Sequence, residues 1–138
     1  MTRQPSQTYD TYWLVSASSK ITDSESSQHS FPDAGKWLLF VDPADIDKVW
    51  QKIAEATKAN LLGIGSKCST MRKNPNAVSK EMVICVYTHD YNDKEDVFRV
   101  RQALRGLGFT KKIPYKTDQA TRERKYSKNG TKTSLYYE

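Results

Sequence analysis

The amino-acid sequence predicts an α+β fold, in which a curved, largely antiparallel sheet carries two helices packed on one face. Two observations predict this class. Short segments with strand-type apolar patterns recur along the 138 residues, and two longer segments with helical apolar spacing lie between them. The resulting order is β, β, α, β, β, α, β, β. A chain of this length is expected to form one domain with its own hydrophobic core.

The N-terminal part of the chain predicts a tail, a strand, a loop and a second strand. Residues 1–11 are polar and aperiodic, so we expect a mobile tail ahead of a single domain at 12–138. An aromatic and β-branched run at 12–15 predicts the first strand, and the Ser-rich stretch at 16–34 predicts a long loop. The apolar run at 35–41 predicts a strand near the centre of the sheet.

The first helix is predicted directly after this central strand. Asp42 is expected to cap it, with Pro43 in its first position and Asp45 in its first turn, where the helix dipole favours an acid. The apolar residues follow one helical stripe, which comprises Ile46, Val49, Trp50 and Ile53. Trp50 is therefore expected to be a core residue.

The second helix is predicted near the middle of the second half. Asn92 and Glu95 match a capping box, and Gly108 is expected to end the helix. Its apolar face comprises Val97, Val100, Leu104 and Leu107.

Four further segments complete the predicted sheet. The stretch 62–70 alternates apolar with small or polar residues, and its glycines, Gly63 and Gly65, predict a bulge or a close approach of backbones. It is expected to form a hairpin with the apolar run at 82–88 through a basic turn. Segments 109–115 and 133–137 are predicted edge strands that flank a basic loop at 111–132.

The basic loop carries the excess positive charge of the chain. Residues 111–132 contain eight Lys or Arg against Asp118 and Glu123, a net charge equal to the +6 of the whole sequence. A localised positive patch predicts an anionic partner bound at one place. The alternative is a basic loop that is only solvated or disordered.

The chain resembles two known families. The element order, together with Gly35-Lys36-Trp37, a helical Trp50, a basic hairpin and a basic C-terminal loop, resembles the messenger-RNA cap-binding translation initiation factor. In that family, cations on the hairpin and C-terminal loop hold a triphosphate. The positions here that match are Lys67, Arg72 or Lys73, and the segment 116–125. Trp13 and Trp37 match structural strand tryptophans, so the resemblance supplies no pair of tryptophans for a base sandwich.

The second resemblance is the closer one. Three motifs are similar to a family typified by a basophilic-leukaemia-expressed protein. They are Gly-Lys-Trp-Leu from residue 35, the predicted strand and the residues after it at 83–91, and Tyr-Lys-Thr-Asp-x-x-Thr-Arg at 115–122. That family has the same cap-binding-like fold, and some bacterial members are named phosphothreonine lyases.

The residue types predict a site for phosphate. Lysine and arginine supply charged donors, and threonine adds a hydroxyl donor. The predicted phosphate ligands are Lys67, Arg72, Lys116, Thr117, Arg122 and Lys125, and the predicted aromatic contacts to a base are Tyr126 and Tyr91. We therefore predict binding of a phosphorylated ligand, most simply a mono-, capped or cyclic nucleotide, without turnover and without a cofactor.

Two other functions fit the sequence. A phosphothreonine lyase would need an acid, a base and cations, and Lys67, Lys116 and His89 are the residues available for those roles. A single-stranded RNA-binding module would also use basic residues interleaved with tyrosines.

The remaining features predict where the protein works. Cys68 and Cys85 lack metal-ligand spacing and lie in apolar-alternating segments, which predicts reduced thiols packed on strands. No signal peptide, membrane span or metal site is expected from the sequence. These features predict a cytoplasmic protein.

Overall fold

A computed structural model of the protein describes residues 3–19, 32–72, 81–118 and 135–138. These residues form two helices and one antiparallel sheet of six strands. The strands are Trp13–Ala17 (β1), Gly35–Val41 (β2), Gly65–Ser69 (β3), Met82–Thr88 (β4), Pro114–Thr117 (β5) and Tyr136–Tyr137 (β6), and the helices are Ile46–Lys58 (α1) and Lys94–Gly106 (α2). The strand order in the sheet is β1-β3-β4-β2-β5-β6. The predicted fold class and order of elements are confirmed.

The hydrophobic core lies between the two helices and one face of the sheet. From the sheet it takes alternate residues, such as Trp37 and Leu39 on β2 and Ile84 and Val86 on β4. From the helices it takes the predicted apolar stripes, including Ile46, Trp50 and Ile53 of α1 and Val97, Val100 and Leu104 of α2. Successive side chains of a strand point to opposite faces. The residues between the core positions therefore lie on the second face of the sheet.

The helix starts differ from the prediction by one or more residues. Helix α1 begins at Ile46, because the Asp42 carboxylate accepts a hydrogen bond from the Ala44 amide (2.9 Å) and closes a separate turn before the helix. Helix α2 is capped by Asp93, whose side chain accepts from the Asp96 amide (3.3 Å), so the predicted capping box at Asn92 is wrong.

The segment predicted to be a mobile tail packs on α1 where the structure describes it. Residues Pro5–Gln7 form a turn of 3₁₀ helix, and Pro5 is buried. The Ser6 amide donates a hydrogen bond to the Asp47 carboxylate of α1 (2.9 Å), and the Met71 amide donates to the Thr8 carbonyl (3.0 Å). A polar, aperiodic sequence gave no sign of these contacts, because residues 3–11 make them through backbone groups.

Some strands have the predicted ends, and others do not. The strands at β2 and β4 match the predicted ranges, whereas β3 is confined to Gly65–Ser69 within the predicted 62–70. A close backbone approach was predicted at Gly63, and a β-carbon there would lie 1.8 Å from the Tyr87 carbonyl oxygen. Strand β1 extends through Ala17 into the predicted Ser-rich loop, of which residues 20–31 lie outside the described part of the chain.

A buried arginine explains why the predicted strand at 109–115 is shorter than expected. Arg101 of α2 is fully buried, and its guanidinium donates to the carbonyls of Phe109 (2.8 Å), Lys111 (2.7 Å) and Glu138 (2.8 Å). The Phe109 and Lys111 carbonyls are thus bonded to α2, while the Glu138 carbonyl also accepts from the Ile113 amide (2.8 Å). Strand β5 consequently begins only at Pro114.

Candidate phosphate-binding face

Three lysines of the described residues lie on the face of the sheet opposite the hydrophobic core. Lys36 is directly opposite Tyr87 of β4 on one side and Lys116 of β5 on the other. Lys67 of β3 is directly opposite Cys85 of β4. We call this surface the basic face, and define it by Trp13, Lys36, Lys67, Tyr87, Lys116 and Asp118. Strands β3 and β5 are separated by two strands, so Lys67 and Lys116 stand roughly 14 Å apart across the sheet, with Lys36 between them.

Asp118 supplies a carboxylate at one end of the basic face. The Lys36 ammonium lies 2.9 Å from an oxygen of Asp118, and the side chains of the two residues are 10% and 26% exposed. The Asp118 carboxylate compensates the largely buried charge of Lys36, which lies next to the charge of Lys116. Three ammonium groups against one carboxylate leave a positive balance on this group of four residues.

Aromatic rings line the surface between Lys36 and Lys67. The ammonium groups of both lysines lie 5.7 Å from the centre of the Tyr87 ring. Lys67 also lies 4.1 Å from the centre of the Trp13 ring, a close cation–π contact. Trp13 is half-buried, in contrast to Trp37 and Trp50, which are in the core as expected. The assignment of Trp13 as a structural strand residue therefore overlooked its position beside Lys67.

Burial and charge shift the ionisation of three groups on this face. Burial, followed by the proximity of Lys36, lowers the pKa of Lys116. Burial raises the pKa of the Cys85 thiol to about 11, although Lys67 and Lys36 oppose the shift. Burial also raises the pKa of Tyr87. The face therefore keeps a neutral thiol and a neutral phenol among its lysines at physiological pH.

The structure separates the predicted phosphate ligands into groups. Lys67 and Lys116 lie on the basic face. Thr117 follows Lys116 along β5 and so falls on the face of the sheet that carries Tyr115, which is in the core. Arg72 lies beyond the end of β3, where its guanidinium donates to the Asp10 carbonyl (3.1 Å) and sits 4.7 Å from the centre of the Tyr12 ring.

Two other predicted residues lie on the helical side of the molecule. Tyr91 packs against the hydrophobic core. His89 is 3.3 Å from the Asp93 carboxylate and 3.7 Å from that of Asp96, both at the start of α2. The residues Arg122, Lys125 and Tyr126, with most of the predicted basic loop, lie outside the described residues.

Sequence reasoning missed Lys36 and Tyr87 as site residues. Both stand within apolar runs that predict buried strands, and Lys36 is only 8% exposed. The available signal was the period of two, which puts Lys36 on the opposite face from Trp37, and Tyr87 on the opposite face from Val86. The pairing that joins them involves strands far apart in sequence, which the local pattern does not specify.

The cysteines agree with the sequence-based expectation. Cys68 and Cys85 are both buried and unpaired, and they occupy strands β3 and β4. Among residues 3–19, 32–72, 81–118 and 135–138, no cluster of His, Cys, Asp and Glu is suited to a metal ion. Neither helix in this described part is long and apolar enough to cross a membrane.

Solved structures of translation initiation factor eIF4E share this fold. Schistosome eIF4E complexed with m7GpppA and 4E-BP superposes with a TM-score of 0.69 at 17% identity, covering 99% of this chain and 75% of that chain. The schistosome complex with m7GpppG and 4E-BP has the same identity and coverage and a TM-score of 0.66. C. elegans eIF4E-3 with the 4E-binding protein Mextli and a cap analog covers 66% of this chain and 54% of that chain, with a TM-score of 0.53 at 17% identity.

A family match accompanies the structural likeness. Residues 17–122, which include both helices and β2 through β5, match the family described as basophilic leukemia-expressed protein Bles03. The match spans well over half of the chain, and it includes the motifs that suggested the resemblance. The chain belongs to the basophilic leukemia-expressed protein Bles03 family.

Proposed function

We propose that this protein binds a phosphorylated nucleotide on the basic face, without turnover. Lys36, Lys67 and Lys116 contact the phosphate groups, and the rings of Tyr87 and Trp13 contact the base. The observation that carries the proposal is the placement of three lysines on one face of the sheet, two of them directly opposite each other.

The charge arrangement supports an anionic ligand. Like charges directly opposite each other on neighbouring strands destabilise a sheet. Lys36 and Lys116 have this arrangement, and Asp118 forms an ion pair with Lys36. A phosphate group placed between the lysines would accept charge-assisted hydrogen bonds and relieve their repulsion. The largely buried position of Lys36 would strengthen this attraction relative to a fully exposed site.

The aromatic rings favour a nucleotide over inorganic phosphate. Tyr87 lies between the ammonium groups of Lys36 and Lys67, and Trp13 lies beside Lys67. A base can stack on either ring while its phosphate reaches the lysines. The fold adds support, since the eIF4E structures with this fold were solved with the cap nucleotides m7GpppA and m7GpppG. The predicted residues Arg122, Lys125 and Tyr126 remain candidates for additional contacts.

The position of His89 favours binding over lyase chemistry. The carboxylates beside it belong to Asp93 and Asp96 at the start of α2, while Lys67 and Lys116 lie on the basic face. Acid–base catalysis needs the two groups within hydrogen-bond reach of one substrate. The cytoplasmic location and the single-stranded RNA alternative stay predictions from the sequence.

Calorimetric titration with GMP, GTP, m7GpppG and cyclic GMP tests the proposal. We expect saturable binding of at least one nucleotide by the full chain. Lys67→Met should weaken it by about 10-fold to 150-fold, as expected for loss of a charged hydrogen bond of about 1.5–3 kcal/mol. Lys48→Met is the matched control, because Lys48 is an exposed lysine on α1, away from the basic face.

Three results would contradict the proposal. The first is a lack of saturable binding by all four nucleotides, and the second is an equal loss of affinity in the Lys67 and Lys48 variants. The third is elimination of phosphate from a phosphothreonine peptide, seen by mass spectrometry, which would make the protein a lyase. Tight binding of an RNA strand whose affinity falls steeply with salt would instead favour the RNA-binding alternative.

A further inference from the structure

The N-terminal segment, residues 3–11, is held on α1 through one carboxylate. The Ser6 amide donates to Oδ1 of Asp47 (2.9 Å), and the Ser6 hydroxyl donates to Oδ2 of the same side chain. Pro5 and Thr8 on either side are buried. We propose that Ser6 is a phosphorylation site, and that phosphate at Ser6 detaches residues 3–11 from α1.

The chemistry of the Ser6–Asp47 contact makes it sensitive to phosphate. In the unmodified chain, the Ser6 hydroxyl is a donor and the Asp47 carboxylate is an acceptor. A phosphoserine has lost that donor and carries a charge of about −1.5 to −2 at pH 7. Modification therefore replaces a hydrogen bond with the repulsion of two anions at the point where the segment is anchored.

A second contact of the segment responds to the same change. Arg3 forms an ion pair with Asp10 (2.7 Å), and both side chains are exposed. Arg3 lies three residues before Ser6, within reach of a phosphate on that residue. Guanidinium groups bind phosphate through paired hydrogen bonds, so Arg3 is expected to transfer from Asp10 to phosphoserine. Both the helix contact and the contact that folds the segment on itself are then lost.

The same arginine identifies the class of enzyme that would modify Ser6. Many protein kinases select an arginine three residues before the acceptor. In the transfer, the Ser6 oxygen forms a bond to the γ-phosphorus of ATP, the bond from that phosphorus to the ADP oxygen breaks, and the hydroxyl proton passes to the base of the kinase. The half-buried Ser6 is reached when the short segment opens locally.

Phosphorylation in vitro tests the acceptor assignment. The full chain is incubated with ATP, Mg²⁺ and a purified protein kinase that selects arginine three residues before the acceptor, and the phosphate is mapped by mass spectrometry. We expect phosphate at Ser6, abolished by Ser6→Ala and reduced at least 10-fold by Arg3→Ala. Absence of phosphate at Ser6 in the unaltered chain would overturn the assignment.

Hydrogen exchange tests the detachment. The full chain is made with phosphoserine at position 6, with Asp47 retained or with Asp47→Asn. The Met71 amide is the reporter, because it donates to the Thr8 carbonyl and lies outside the segment. Phosphorylation should speed its exchange at least 10-fold when Asp47 is present and less than 3-fold in Asp47→Asn. Unchanged exchange with Asp47 present, or an equal increase in both forms, would overturn the proposed mechanism.

Discussion

Lys36 and Lys116 are direct partners across the antiparallel strands β2 and β5. Their side chains therefore project from the same face of the sheet, with β-carbons about 4.5–5.5 Å apart. Asp118 neutralises Lys36 at 2.9 Å, while burial and the charge of Lys36 lower the pKa of Lys116. The register therefore places two like charges side by side on the basic face, and one of them is paired with a carboxylate.

Replacing Lys116 should stabilise the fold while impairing binding. The pKa of Lys116 is lower in the folded protein than in the unfolded chain, so the protonated lysine destabilises the fold. This destabilisation disappears as the pH rises to 10.5, the ordinary pKa of a lysine. At pH 7 we expect Lys116→Met to raise the free energy of unfolding by about 0.2–1 kcal/mol in urea titrations. Lys112→Met, at an exposed position, is the control. A destabilised Lys116→Met protein would refute the repulsion argument.

Trp13 should report ligand binding by fluorescence. Trp37 and Trp50 are in the core, whereas Trp13 is half-buried and in contact with Lys67 on the basic face. A phosphate that draws Lys67 away from the indole ring would change the emission of Trp13 alone. We expect a saturable change with the nucleotide that binds, and its loss in Trp13→Phe. Persistence of the change in Trp13→Phe would place the ligand elsewhere.

The Cys85 thiol should be unreactive in the folded protein. Its pKa is raised to about 11 from an ordinary 9.0 by burial, so little thiolate is present at pH 8. We expect Ellman's reagent to modify the native protein at least 100-fold more slowly than the protein in urea. The raised pKa contributes stability below pH 9 that is lost as the pH rises through about 11. Cys85→Ala should therefore lose less stability across this interval, and an equal loss would show that the thiol is not responsible.

The buried hydroxyl pair of Tyr115 and Thr88 should be coupled. The two oxygens lie 2.6 Å apart, and both residues are fully buried. Tyr115→Phe leaves the Thr88 hydroxyl without this partner and should cost about 1–3 kcal/mol of stability in denaturant titrations. In the double variant with Thr88→Val no hydroxyl remains unpaired, so the total loss should be smaller than the sum of the single losses. Additive losses would show that the hydrogen bond contributes little.

The sequence predicted the central strands best because their apolar character is nearly continuous. The runs at 35–41 and 82–88 match β2 and β4 residue for residue, since nearly continuous apolar character marks a central strand. The edge strands β5 and β6 are short, and the start of β5 depends on the hydrogen bonds of Arg101. That dependence is tertiary and leaves no local pattern.

The candidate site was predicted less completely than the fold. Lys67 and Lys116 were identified by charge, but Lys36 and Tyr87 were hidden in apolar runs, and their role emerges only from the pairing of β2 with β4 and β5. Arg72 was also identified by its charge, but its guanidinium donates to the Asp10 carbonyl and lies over the Tyr12 ring, beyond the end of β3. Charge identifies candidates, whereas sheet register decides which of them share a face.

The strand order has a consequence for how the basic face forms during folding. Strand β2 pairs with β4 and β5, and the Lys36–Asp118 contact joins residues 82 positions apart in sequence. Closing such long loops slows folding, typically to milliseconds or seconds in sheets built from distant segments. Refolding chains should therefore form their helices before the basic face is complete, and nucleotide affinity should be among the last native properties to return.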